Sequence, residues 1–193
     1  EIVLNRIVKE IINLNEAGKE ILLVSSGAIA LGKKRLNLKK NNLKVSEKQA
    51  ASSVGQVLLI NAWKKAFLKY KKQCGQILLT HLDAEIRSSA INARNTIETL
   101  LKLNSIPIIN ENDSVATQEL RYGDNDQLAA RVAQITSSNL LIILSDVDGL
   151  YTSNPKKNND ASLIRYIKKI TKSIEKSSEN TSSSIAVGGM KTK

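Results

Sequence analysis

Four short apolar runs, "EILLVSS" at 20–26, "GQILLT" at 75–80, "SIPIIN" at 105–110 and "NLLIILS" at 139–145, alternate with longer stretches of helical periodicity. Runs that are apolar at successive positions, rather than at every second one, suit strands covered on both faces, the setting of a parallel sheet. The first helix is expected from Leu4, Ile7, Val8, Ile11 and Leu14, ending at Gly18, where left-handed backbone is cheap. A short helix follows over 28 to about 36, then a long one from about 46 to 72, with Ser46 and Glu47 as caps and Trp63 and Phe67 facing the core. Two more are expected in "IRSSAINARNTIETLLKLN" and "DQLAARVAQITSS". Strand and helix in alternation build right-handed crossovers. The fold expected is therefore α/β, a three-layer sandwich with a mostly parallel central sheet.

A chain of 193 residues can bury one sizeable core, and a single domain over 1–193 is expected. No apolar run reaches the roughly 18 residues of a membrane span, and the start "EIVLNRIVKE" breaks its apolar residues with charges, unlike a secretory signal. A cytoplasmic protein without membrane contact is expected. Cys74 is the single cysteine and His81 the single histidine; a buried or half-buried thiol is expected, with no chemistry at either residue. The formal net charge of +11 comes mostly from scattered lysines, as in Lys33-Lys34 and Lys39-Lys40. It suits a polyanionic partner or simply a solvated surface; with 3% aromatics and no arginine-rich stripe, nucleic acid is the weaker reading. Beyond "DVDGLYTSNP" the pattern weakens into a basic amphipathic segment at 163–174 and the serine-rich "KSSENTSSSIAVGG", read as a mobile loop.

Ligands of open parallel sheets bind outside the carboxyl ends of the strands. Three such ends carry unusual polar sequence: "SSGA" at 25–28, "NENDSVAT" at 110–117 and "SDVDG" at 145–149. Each has a plain structural reading. Ser26 suits a helix cap, Asp148-Gly149 a turn, and Asp124 and Asp126 the first turn of a helix. Yet a cap needs one aspartate, and "GDND" supplies two beside the polar "NEND". Carboxylate and amide oxygens there can receive an ammonium group, while Ser26 and the N–H groups near Gly27 can donate to a carboxylate. That is the chemistry of an amino acid. "VGGMKTK" at 187–193, with exposed N–H groups and lysines, suits phosphate oxygens, although it lacks P-loop spacing.

The motifs "VSSGAIALGKKRL", "KQAASSVGQVLL", "LLTHLD", "NARNTIETLL", "IPIINENDSVAT", "YGDNDQLAARVA", "LIILSDVDGLYTSNP" and "VGGMKTK" together resemble the amino-acid kinase family, and within it the glutamate 5-kinases. The resemblance runs from about Leu22 to Lys193. It implies ATP-dependent phosphorylation of the γ-carboxylate of L-glutamate, the first step of proline biosynthesis, with Mg2+ accompanying ATP and no resident protein-held metal. It implies glutamate-binding roles for Ser26, Asp113 and Asn125, with Asn110 and Asp124 nearby. Ser145 and Asp146 match the nucleotide-binding pair, usually Thr-Asp in the family. Val187, Gly188, Gly189, Met190, Lys191, Thr192 and Lys193 match the ATP loop. Lys193 resembles the lysine that neutralises the transferring phosphoryl group, and Asp126 the aspartate that organises the catalytic lysines. A homo-oligomer and feedback inhibition by proline are further family expectations.

Measured against that family, the sandwich is expected to be incomplete at both ends: the first strand with its phosphate-binding lysine, the C-terminal end of the kinase domain and any PUA domain lie outside this sequence. The chain reads as a piece of a longer protein. Val187 stands where the family often has Thr. The alternative is a truncated, non-catalytic remnant acting as a basic binding protein. On the kinase reading, "NEND" and "GDND" are two jaws around glutamate. "SVATQELRY" between them is then a loop over the substrate, with Glu119 and Arg121 as solvated charges.

Overall fold

The structure, a computed structural model, describes residues 2–40, 42–115, 125–145, 147–153, 158–172 and 174–175. They belong to two compact units, Glu1–Ser138 and Asn139–Lys193. The first unit opens with α1 (Ile2–Glu16), whose apolar stripe buries Val8, Ile11 and Ile12. It stops at Gly18, φ 79°, where the Lys19 N–H returns to the Leu14 carbonyl at 3.0 Å, the left-handed stop expected from the sequence. β1 (Leu23–Val24), α2 (Ala28–Arg35), α3 (Val45–Leu68), β2 (Gln73–Leu79), α4 (His81–Glu85), α5 (Arg87–Lys102), β3 (Ser105–Glu111) and α6 (Asn125–Ile135) follow.

The strands form one parallel sheet in the order β1-β3-β2, with Leu23 opposite Ile108 and Cys74 opposite Ile106. β3 is the centre, and all its residues are buried. Alternate residues of a strand face opposite ways. Ile106 and Ile108 accordingly pack with Val8 and Ile12 of α1 and Trp63 and Phe67 of α3, whereas Ile109 packs with Ile97 of α5 and Leu128 and Val132 of α6. Cover on both faces is why "SIPIIN" is apolar without alternation. The α/β three-layer arrangement expected from the sequence is the one found.

α2 and α3 touch backbone to backbone. A Cβ at Gly55 would lie 1.8 Å from the Ala28 carbonyl oxygen, and one at Gly32 would lie 1.7 Å from that of Ala51. Only glycine permits this approach, and it clamps Ala28, the residue after the Ser25–Gly27 turn, against the middle of α3. A second tie lies at the opposite ends of the strands. The buried Lys72, between α3 and β2, donates from its ammonium to Asn15 Oδ1 in the last turn of α1 and to Asn104 Oδ1 before β3, joining three parts of the chain.

Several local expectations are corrected. α3 begins at Val45 with Lys44 as its N-cap, so Ser46 lies inside the first turn and does not cap it; Glu47 Oε2 accepts the Lys44 N–H at 2.8 Å, which holds the Glu47 carboxyl below its usual pKa. α4 was not anticipated: Thr80 Oγ1 accepts the Asp83 N–H at 3.1 Å while Asp83 Oδ2 accepts the Thr80 N–H at 2.8 Å, a reciprocal cap that nucleates one short helix. "EILLVSS" yields only the two-residue β1. "NLLIILS" forms no strand among the described residues. Leu140, Leu141, Ile142 and Leu144 are exposed there, and a strand exists only where a neighbour completes its ladder. Elsewhere in the second unit Tyr151 and Leu163 make an isolated antiparallel bridge, flanked by the Ile164 N–H to Leu150 carbonyl bond at 2.7 Å. The stretch 163–171 is not helical, and Tyr166 and Ile170 are exposed. Positions 176–189, read as a mobile loop, lie outside the described residues.

Candidate functional site

Polar side chains gather where the carboxyl ends of β1 and β3 meet α3 on one side and the start of α6 on the other. Asn110 shares the parity of Ile106 and Ile108, so it faces α3, and its Nδ2 donates to Gln56 Oε1 at 2.6 Å. Its Oδ1 accepts the Glu111 backbone N–H at 2.8 Å and Asn125 Nδ2 at 2.9 Å. A backbone N–H can only donate, so it fixes which atom of the Asn110 amide is oxygen. That oxygen in turn draws the Nδ2 of Asn125, which also donates to the Ser25 carbonyl at 3.2 Å. The consequence is chemical: Asn125 Oδ1 is left buried and, among the described residues, without a donor. A buried acceptor in that condition is a place for a ligand's N–H.

Asp113 stands three residues along, in a turn shaped by the Asn112 N–H to Leu79 carbonyl bond at 2.9 Å and by Ser114 Oγ donating to Asn112 Oδ1 at 2.6 Å. Its Oδ2 accepts the Ser52 hydroxyl at 2.7 Å, and the residue is 6% exposed. Burial pushes the Asp113 carboxyl above the usual aspartate range, and the Ser52 bond pulls it partly back. Ser25 is buried too. It receives the Trp63 indole N–H on its Oγ at 2.9 Å and gives its own N–H to the Ile109 carbonyl at 2.9 Å. Trp63 is stacked on Phe67 with ring centroids 6.2 Å apart, so the turn after β1 is braced from the core. Gly27, φ 110°, then takes the left-handed conformation that starts α2 and leaves Ser26 exposed. A pocket of about 360 Å³ adjoins this cluster, with Ser52, Gln56, Glu111, Asn112, Asp113 and Ser114 in its wall.

The sequence model of the Amino acid kinase family matches residues 1–193. This chain belongs to that family. It is 50% identical over 190 residues to the Glutamate 5-kinase of Pelagibacter ubique, covering 98% of this chain and 52% of that protein. It is likewise 50% identical over 190 residues to the Glutamate 5-kinase of Bartonella henselae, covering 98% and 50%, and 52% identical over 185 residues to that of Brucella ovis, covering 96% and 49%. The chain spans about half the length of these curated relatives.

Of the kinase-site residues expected from the sequence, Ser26, Asn110, Asp113 and Asn125 come together at the strand ends, and Asp126 is the half-buried second residue of α6. Ser145 is exposed and belongs to the second unit. Asp124, Asp146 and positions 187–193 lie outside the described residues, as do 116–122 of the inter-jaw loop, Glu119 and Arg121 among them. Cys74 is half-buried, as expected, with its thiol pushed up by burial, and His81 opens α4. Among the described residues no three His, Cys, Asp or Glu converge on a metal position, and no helix is long and apolar enough to cross a membrane. Sequence reasoning missed Ser52 and Gln56; Ser25 lay within the flagged "SSGA" without a role of its own, and Trp63 faces the core as expected, its bond to Ser25 not foreseen. A signal for the first two existed: Ser52 and Gln56 stand four apart within "AASSVGQVLL", on one face of a helix whose neighbouring positions are small or apolar.

Proposed function

We propose that this chain is part of an ATP-dependent kinase that phosphorylates the γ-carboxylate of L-glutamate to L-glutamyl 5-phosphate, the first step of proline biosynthesis. The observation that carries the reading is the 50% identity, over 98% of the chain, to relatives named Glutamate 5-kinase. The strand-end cluster has chemistry that supports it. Asp113 and the Asn125 Oδ1 are acceptors suited to an amino acid's ammonium, while the Ser26 hydroxyl and the N–H groups at the start of α2 are donors suited to its carboxylate. Asn110 adjoins these contacts, and a supporting role at the same amino-acid site is assigned to Asp124, which precedes Asn125 in the sequence.

The γ-carboxylate, with an ordinary pKa of about 4.3, is already ionised at neutral pH. It attacks the γ-phosphorus without a general base, so catalysis reduces to positioning and charge stabilisation. In this scheme Lys193 neutralises the transferring group, Asp126 orients the lysines, and Ser145, Asp146 and the 187–193 loop hold ATP. Mg2+ needs only one or two carboxylates beside the nucleotide's phosphates. A cytoplasmic homo-oligomer inhibited by proline belongs to the same proposal. The test is ADP release by the intact gene product with glutamate, aspartate or N-acetylglutamate as acceptor. Preference for glutamate is expected; preference for either of the others, or no turnover, rejects the reading.

A further inference from the structure

We propose that Ser52 and Gln56 of α3 are positioning residues for the amino-acid site, Ser52 by holding the Asp113 carboxylate and Gln56 by setting the Asn125 amide through Asn110. The proposal rests on the glutamate-kinase reading and adds residues that reading does not use. Residues four apart on a helix lie one above the other on the same face. Here that pair meets a second pair, Asn110 and Asp113, at the end of β3, through bonds of 2.6 and 2.7 Å.

The cost of burying polar groups identifies their purpose. Ser52 and Gln56 are 3% and 8% exposed, and a helix face against a sheet is filled at lower cost by alanine or leucine. A buried hydroxyl or amide is sustained by the bond it makes, and the bonds made here end on Asp113 and Asn110. Asn110 is itself committed. Its oxygen takes two donors and its Nδ2 takes Gln56, so it acts as a relay, and the acceptor it turns toward the cluster is the oxygen of Asn125. Without the Gln56 oxygen the Asn110 amide loses the partner of its Nδ2. The Glu111 N–H alone then holds the Asn110 amide, so the acceptor that selects which end of the Asn125 amide faces a ligand is held less firmly.

The experiment is steady-state kinetics on the intact gene product, comparing wild type with Ser52→Ala, Ser52→Thr and Gln56→Met, with melting curves on the same samples. We expect Ser52→Ala and Gln56→Met each to raise the KM for glutamate about tenfold while the KM for ATP moves less than about twofold. Ser52→Thr, which keeps the hydroxyl, should restore most of the glutamate KM. An unchanged glutamate KM in both variants, equal losses for glutamate and ATP, or a loss that follows melting temperature across the set overturns the proposal. A wild type with no glutamate turnover overturns the glutamate-kinase reading itself, and is seen before any variant is compared.

Discussion

Substituting Gly55 by alanine probes the contact on which the Ser25–Gly27 turn depends. The new Cβ would sit 1.8 Å from the Ala28 carbonyl oxygen and 2.6 Å from the Gly32 nitrogen. Carbon and oxygen rest at about 3.5 Å, so α2 has to withdraw by roughly 1.7 Å. The obstructing atoms are backbone and have no rotamer to change. Alanine gains about 1 kcal/mol over glycine in a helix interior, whereas overpacking costs about 1–3 kcal/mol and occasionally more. With a backbone-to-backbone clash at the upper end of that range, the net loss is about 2 kcal/mol. For a domain of about 150–250 residues that lowers the melting temperature by about 4–8 °C. Scanning calorimetry of the intact gene product at one scan rate measures it. Gly18→Ala is the control: no atom lies within 4 Å of its Cβ, and φ 79° alone imposes about 1 kcal/mol. Because Ala28 follows Ser26 and Gly27 directly, Gly55→Ala should also raise the glutamate KM. A Gly55→Ala protein melting at or above wild type would show that this backbone contact is not what holds α2 against α3.

Two predictions concern the site itself. Asn125→Ala removes the buried acceptor, which has no donor among the described residues, and should weaken glutamate about tenfold with little effect on ATP; equal losses in the two KM values would count against the assignment. Asp113 is raised above its usual value of 3.8 by burial, so the folded protein holds this proton more tightly than the unfolded chain. Its contribution to stability is complete below the unfolded pKa and is lost as pH rises through the higher folded pKa. Asp113→Asn, which keeps an oxygen for Ser52, should therefore gain melting temperature relative to wild type at pH 7 but not at about pH 3, below the unfolded value, while binding glutamate less well. Melting curves at both pH values decide it, and a variant less stable than wild type at pH 7 contradicts the sign.

The layers were readable because burial on both faces writes itself into sequence. β3 sits between two strands and two helical layers, so "SIPIIN" could be little else. "NLLIILS" carries the same signature yet forms no strand among the described residues, because apolarity records a preference for burial and cannot supply a neighbouring strand. α4 carries the T-x-x-D spacing of a reciprocal cap between Thr80 and Asp83, but no long apolar periodicity follows to mark it as a helix. In the site, Asn110, Asp113 and Asn125 stood out as costly polar groups directly after an apolar strand or at the next helix start. Ser52 and Gln56 did not, and the Trp63 bond to Ser25 was not foreseen, since the partners are 61, 54 and 38 residues away in the chain. A long helix with small and apolar residues on most sides hides which face meets a site.

In the proposed reaction glutamate receives its phosphoryl group on the γ-carboxylate. The most direct measurement is trapping with hydroxylamine, which converts an acyl phosphate to a hydroxamate, followed by mass spectrometric identification of the product made by the intact gene product from glutamate and ATP. γ-Glutamyl hydroxamate is expected only when ATP is present, and in about a tenth of that amount with Asn125→Ala at a glutamate concentration well below its KM. An α-hydroxamate, or none at all from a protein that consumes ATP, would contradict the proposed reaction.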